Sequence, residues 1–74
     1  MHANEPSIMQ IKLNGRDYEL AEDATVATLL KLLNLADRRV AVEVNQMIVP
    51  RSQHVHANLR ANDQVEIVHA IGGG

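Results

Sequence analysis

The sequence contains no cysteine, tryptophan or phenylalanine, and Tyr18 is its only aromatic residue. The absence of cysteine excludes disulfides, thiolate metal ligands and a cysteine nucleophile. A chain of 74 residues must then be held by apolar packing and backbone hydrogen bonds, and domains of this size bury only about 60% of the surface that the unfolded chain exposes. Because 46% of the residues are hydrophobic, we expect an aliphatic core.

The sequence also has little excess charge of either sign. Its formal net charge is −2, and its seven basic residues are spread along the chain. Without a basic stripe or an aromatic stacking platform, nucleic-acid binding is not expected. No apolar run approaches the roughly 20 residues of a membrane span, and the N-terminus lacks the basic and apolar order of a secretory signal. These features favour a cytoplasmic protein with no membrane partner, most simply a monomer on its own.

Few side chains could carry chemistry. Ser7 and Ser52 have no recognisable base and orienting partner, so a catalytic triad is not supported. The pair His54 and His56 could bind a metal only with further ligands, and we interpret both as solvated loop residues. His69 alternates with apolar residues and is expected to be a partly buried strand residue. We therefore predict no catalytic residue, no metal site and no bound cofactor.

The first part of the chain predicts a β-hairpin. Residues 1–8 are polar and aperiodic, which favours a flexible lead-in. The segment "MQIKLNGRDYEL" then alternates apolar and polar residues on either side of Asn14-Gly15, a dipeptide favoured in type I′ turns.

The segment "EDATVATLLKLLNL" has the period of an amphipathic helix of about ten residues. Thr25 is expected to cap its N-terminus, and Glu22 and Asp23 lie where the helix dipole favours negative charge. Asn34 can adopt the left-handed conformation that ends a helix.

The second half returns to a period of two. In "RRVAVEVNQMIVPR" the pair Asn45-Gln46 can turn the chain and Pro50 ends a strand. "SQHVHANL" predicts a loop or a short helical turn, and "VEIVHAI" a last strand. One helix and this strand order favour an α+β fold, the β-grasp arrangement of ubiquitin, with a mixed sheet of four to five strands packed on one main helix. The last strand, nearly all apolar on both faces, is expected beside the first, and the domain is expected to span residues 9–71.

Three glycines, residues 72–74, follow that strand. Three extended residues without Cβ atoms make a flexible thread about 10 Å long, which can enter a slot too narrow for side chains. The carboxylate at its tip is a poor electrophile until adenylation gives it a good leaving group, which a sulfur nucleophile could then displace to leave a thiocarboxylate. No nucleotide-binding loop is visible in the sequence, so ATP would be used by a partner. The alternative interpretation is a frayed or artificial end.

Four segments together resemble the ThiS family of ubiquitin-like sulfur carriers of thiamin biosynthesis: "MQIKLNG", "TVATLLKLL", "RRVAVEVNQMIVPRSQH" and "VEIVHAIGGG". The resemblance implies that Gly74 is adenylated by a ThiF-type adenylyltransferase, converted to a thiocarboxylate, and used as the sulfur donor for thiazole synthase, ThiG. It also implies that the preceding tail residues lie along a channel of the partner. These residues are Gly73, Gly72, Ile71 and Ala70.

Three other functions stay open on the sequence. A carrier of the molybdopterin synthase small-subunit type would offer the same tail to a different partner. A ubiquitin-like modifier would form an isopeptide bond between Gly74 and a lysine, and a plain interaction domain would use its sheet face. The chain departs from its apparent family at two turns, where Asn45-Gln46 and Asn62-Asp63 replace glycine-containing pairs, and at His54, which replaces an aromatic residue.

Overall fold

The computed structural model describes residues 7–69. This part of the chain forms a five-stranded mixed sheet and one α-helix. In chain order the elements are β1 (Ile8–Leu13), β2 (Arg16–Ala21), α1 (Val26–Leu32), β3 (Val40–Val44), β4 (Met47–Val49), a 3₁₀ helix (Arg51–Gln53) and β5 (Gln64–His69).

The strand order is β2-β1-β5-β3-β4, which puts the last strand in the centre of the sheet. β5 runs parallel to β1 and antiparallel to β3. The two hairpins therefore flank a strand that comes from the end of the chain. The predicted β-grasp class and the position of the last strand beside the first are both confirmed.

The first hairpin has the predicted turn. Asn14 and Gly15 have φ angles of 51° and 85°, and a type I′ turn requires positive φ at both positions. β1 begins at Ile8, one residue before the predicted start of the domain, and pairs with β2 from Ile8 to Leu13. Met9 and Ile11 are buried and Lys12 is exposed, as the alternation of the strand predicted.

The N-terminus of α1 is capped by Thr25, whose Oγ1 accepts a hydrogen bond from the Thr28 N–H at 3.2 Å. The predicted role of Glu22 and Asp23 is wrong. Both lie in the turn before the cap, and the first turn of the helix contains no acidic residue. The capping therefore depends on a neutral hydroxyl group.

The helix closes one turn earlier than the apolar period suggested, after seven residues. Asn34 has the predicted left-handed conformation, with φ 61°. Its N–H donates to the Lys31 carbonyl at 3.0 Å, and the Leu35 N–H donates to the Leu30 carbonyl at 2.8 Å. This pair of bonds is a Schellman motif, which satisfies carbonyls that the last turn leaves free and redirects the chain towards β3.

The second hairpin forms the same kind of turn without glycine. Asn45 and Gln46 have φ angles of 52° and 71°. The backbone of Gln46 thus has a left-handed conformation, which is strained in a residue that carries a Cβ atom. Pro50 follows the end of β4, and the predicted helical turn is the 3₁₀ helix immediately after it.

An apolar cluster lies between α1 and one face of the sheet. The helix contributes Val26, Leu29 and Leu30, and every strand from β1 to β5 except β4 contributes at least one buried residue. The largest fully buried side chains are Ile11, Leu29, Val26, Val42 and Val65. The other face of the sheet is left uncovered by the helix. In residues 7–69 no helix has both the length and the apolar character that a bilayer crossing needs.

Candidate functional site

The tail residues on which the predicted chemistry depends lie outside the described residues. They are Ala70, Ile71, Gly72, Gly73 and Gly74. The structure describes the strand that leads to them, because β5 ends at His69, immediately before Ala70. The candidate site is therefore the end of β5, together with the groups that hold this strand in the sheet.

The start of β5 is held by β1 through backbone hydrogen bonds. The Lys12 N–H donates to the Asp63 carbonyl at 2.9 Å, and the Asn14 N–H donates to the Val65 carbonyl at 2.8 Å. The parallel register with β1 ends at Val65, because β1 turns away into its hairpin at that level. On the opposite side β3 accompanies β5 as far as His69.

The side chain of Asn14 continues this ladder where the backbone of β1 cannot. Its Oδ1 accepts a hydrogen bond from the Ile67 N–H at 2.9 Å, and its Nδ2 donates to the Ile67 carbonyl at 3.3 Å. In a parallel ladder these two groups of β5 would pair with the next residues of the neighbouring strand. Asn14 therefore has two roles, a left-handed turn residue and a substitute for a strand.

Asn45, in the turn of the other hairpin, binds the opposite end of β5. Its Oδ1 accepts from the Gln64 N–H at 2.9 Å, and its Nδ2 donates to Asp63 Oδ1 at 3.0 Å. Asp63 Oδ2 in turn accepts from the Arg60 N–H at 2.8 Å. The two turn asparagines thus bind the central strand at its first residue, Gln64, and at its fourth, Ile67.

These contacts were not predicted from the sequence. Asparagine in a type I′ turn is explained by its φ angle alone, so the dipeptide gave no reason to seek a further partner. Ile67 lies 53 positions after Asn14, and Gln64 lies 19 positions after Asn45. Only the predicted placement of β5 beside β1 could have indicated that Asn14 lies near the last strand.

The uncovered face of the sheet carries apolar and acidic side chains near the end of β5. Glu66 lies directly opposite Glu43 on β3, Val68 opposite Ala41, and Ile48 of β4 opposite Glu43. Val68 and Ile48 are 58% and 68% exposed. Among the described residues one ion pair is present, between Lys12 and Asp17 at 2.7 Å. Neither Glu43 nor Glu66 therefore has a basic partner within this part of the chain. This surface is suited to a partner that offers apolar groups and cations.

The predicted solvated character of His54 is wrong, whereas that of His56 is confirmed. His54 is only 8% exposed, and its Nε2 lies 3.1 Å from the Val49 carbonyl. The 3₁₀ helix turns the chain back towards α1, where the His54 carbonyl accepts from the Ala27 N–H at 3.0 Å. The histidine is thus part of the support of the helix start. His56 is exposed.

The predicted partial burial of His69 is also wrong. Its backbone pairs with Val40, the half-buried first residue of β3, and the His69 side chain is exposed. Buried and exposed residues alternate along β5 as far as Ile67. His69 lies on the same face as Ile67 but beyond the apolar core, so its side chain is exposed. Within residues 7–69 no cluster of three potential metal ligands exists.

An open pocket of about 520 Å³ lies between α1 and the 3₁₀ segment. Its lining includes Leu30, Leu32 and Val55 with two cations, Lys31 and Arg51, and no residue of β5. It therefore offers no contact with the strand that leads to the predicted reactive end.

Comparison with known proteins identifies relatives along nearly the whole chain. The sequence model of the ThiS family matches residues 11–74. The sulfur carrier protein ThiS of Bacillus subtilis is 35% identical over 65 residues, which cover 86% of this chain and 98% of that protein. The crystal structure of the thiamine biosynthesis protein ThiS from Geobacter metallireducens superposes with a TM-score of 0.78 at 30% identity, and covers 89% of this chain and 100% of that one.

A longer relative is matched over only part of its length. The thiazole synthase of Magnetococcus marinus is 41% identical over 66 residues, which cover 89% of this chain but 20% of that protein. The chain therefore spans about a fifth of the length of this relative.

Proposed function

Because this chain belongs to the ThiS family, we propose that it carries sulfur for thiazole formation in thiamin biosynthesis, as a thiocarboxylate on Gly74. The observation that carries the proposal is the family match, which runs through the glycine tail to residue 74. The superposition on a ThiS crystal structure supports it independently, since it compares the fold rather than the sequence alone.

The proposed chemistry has two steps. A carboxylate oxygen of Gly74 attacks the α-phosphate of ATP and releases pyrophosphate, which leaves an acyl-adenylate. A hydrosulfide ion then attacks the acyl carbon, the bond between that carbon and the phosphate oxygen breaks, AMP departs, and loss of the sulfhydryl proton leaves a thiocarboxylate. We assign the first step to a ThiF-type adenylyltransferase. The single glycine of residues 7–69 is Gly15, in the first hairpin, so this part of the chain contributes no glycine-rich phosphate loop.

The position of β5 suits this chemistry. A strand bonded on both sides resists displacement when the tail beyond it enters a partner's pocket, and the sulfur stays attached during transfer. Orientation rather than diffusion then governs the reaction rate. The tail residues from Ala70 to Gly73 would lie along the partner's channel, where glycine leaves room that a side chain would fill.

We propose thiazole synthase, ThiG, as the acceptor of the sulfur. Support comes from the longer relatives named thiazole synthase, in which a segment similar to this chain is part of the same polypeptide. In this proposal the protein acts in the cytoplasm as a monomeric co-substrate of its partner enzymes, and binds no cofactor of its own.

The proposal is tested by intact-mass measurement after incubation with a ThiF-type enzyme, ATP and a sulfur source. The mass should rise by the difference between one sulfur and one oxygen atom, with the change localised to Gly74. A matched control carries one additional alanine after Gly74 and should show no such change. Lysine-linked conjugates would instead indicate a modifier, and sulfur transfer only to a molybdopterin synthase large subunit would indicate the other type of carrier.

A further inference from the structure

We infer that Asn14 is a positioning residue for the carrier tail: its side-chain amide fixes the last part of β5 and so sets the direction in which the chain continues to Gly74. The inference rests on the proposed function, because the tail is the part that partners would bind. Asn14 itself contacts no reacting group. It acts through the backbone of Ile67.

On the side of β5 that faces β1, the hydrogen bonds to the last part of the strand come from the side chain of Asn14. The last backbone hydrogen bond from that side is the one from the Asn14 N–H to the Val65 carbonyl. Beyond Val65, the side chain of Asn14 satisfies both the N–H and the carbonyl of Ile67. These bonds are partly buried, so water replaces them poorly. Without the amide, residues 66–69 would be held in the sheet by β3 alone.

Ile67, the residue that Asn14 binds, lies close to the tail along the chain. Only Val68 and His69 separate Ile67 from Ala70, the first of the proposed channel residues. A strand end that is hydrogen-bonded on one side only samples more conformations. Binding of the tail by a partner then restricts these conformations, and the lost entropy makes the binding free energy less favourable. Loss of the amide should therefore weaken productive binding more than it changes the chemistry of the bound tail.

The chain offers a matched control at the other hairpin. Asn45 has nearly the same φ angle as Asn14, 52° against 51°, and also uses its amide to bind β5. Its partner Gln64, however, is the first residue of the strand and lies six positions before Ala70, whereas Ile67 lies three positions before it. Asn14→Gly and Asn45→Gly each remove a side-chain amide from a left-handed position that glycine accepts without strain. They differ in which end of β5 is released.

The test measures pyrophosphate release by a ThiF-type enzyme at varied concentrations of the wild type and of each variant. Asn14→Gly should raise KM about tenfold, the size expected for loss of one or two hydrogen bonds, and leave kcat within about twofold. Asn45→Gly should leave KM unchanged even where it lowers Tm to a similar extent. Asn14→Asp, which keeps an acceptor for the Ile67 N–H, should give an intermediate KM.

Amide hydrogen exchange supplies a readout that needs no partner. Exchange at Ile67, whose N–H loses its acceptor, should accelerate at least tenfold in Asn14→Gly relative to Asn45→Gly, with exchange in α1 alike in the two variants. Equal KM values for both variants, or equal exchange at the end of β5, would overturn the inference. If the ThiF-type enzyme released no pyrophosphate with the wild-type chain, that result would count against the proposed function. The exchange rates would still show whether the Asn14 amide stabilises the last part of β5.

Discussion

Glu43 lies directly opposite Glu66 across the β3–β5 ladder, on the sheet face that the helix leaves uncovered. Like charges in facing positions of an antiparallel pair reduce stability. In the part of the chain that the structure describes, neither carboxylate has a basic side chain within ion-pair distance. The pair therefore lowers the stability of the domain and makes this part of the β3–β5 surface acidic.

Removal of one of these charges should therefore stabilise the protein. Glu66→Gln should raise the free energy of unfolding by about 0.2–1 kcal/mol at low ionic strength and by less in high salt, since salt screens exposed charges. Urea denaturation at two salt concentrations measures this. The control is Glu19→Gln, because Glu19 faces the neutral Gln10. An equal gain in both variants would show that the facing geometry is not the cause.

The two loop histidines should differ sharply when replaced. His54→Ala removes a buried ring and leaves the Val49 carbonyl without its partner, so it should cost about 1–3 kcal/mol of unfolding free energy. His56→Ala changes an exposed side chain and should stay within about 0.5 kcal/mol of the wild type. Thermal or urea unfolding of both variants decides the matter. A neutral His54→Ala would contradict its structural role.

The helix should depend on its buried face. Leu29→Ala empties a fully buried position and should cost about 2–5 kcal/mol, enough to unfold much of so small a domain. Leu32→Ala is the control within the same helix, because Leu32 is 58% exposed, and it should be nearly neutral. Circular dichroism during urea titration measures both. Leu33, which is only partly buried, should give an intermediate loss.

The second hairpin turn should be improved by glycine. Gln46 holds a φ of 71°, and a residue without Cβ occupies that conformation more easily. Gln46→Gly should therefore increase stability by up to about 1 kcal/mol, whereas Gln46→Ala, which keeps the Cβ, should give no gain. Melting temperatures of the two variants provide the comparison. A loss of stability in the glycine variant would mean that the Gln46 side chain makes a contribution larger than the strain.

Local signals predicted most of the fold because their causes are local. The turn at Asn14-Gly15 follows from φ preferences, and the helix from its apolar period and from the cap at Thr25. The position of β5 was predicted from its high apolar content, and it is confirmed, although only Val65 and Ile67 are buried and the face with Glu66 and Val68 is exposed.

The errors concern residues whose environment depends on distant parts of the chain. His54 is buried because the 3₁₀ turn folds it against the start of the helix, and His69 is exposed because the core ends before it. The amide of Asn14 finds Ile67 only after β5 has entered the sheet. The tail assignment, from Ala70 to Gly74, came from steric reasoning and family resemblance, and it stays a prediction.

The central claim is that the chain works through the acyl end of Gly74. The most direct test is the intact mass of the protein isolated from its native cells while they make thiazole without added thiamin. We predict a chain that ends at Gly74 in two forms, the carboxylate and the thiocarboxylate, with the thiocarboxylate absent when the ThiF-type enzyme is deleted. A mature chain that is clipped before Gly74 or permanently blocked there, in cells that still make thiazole, would contradict the account.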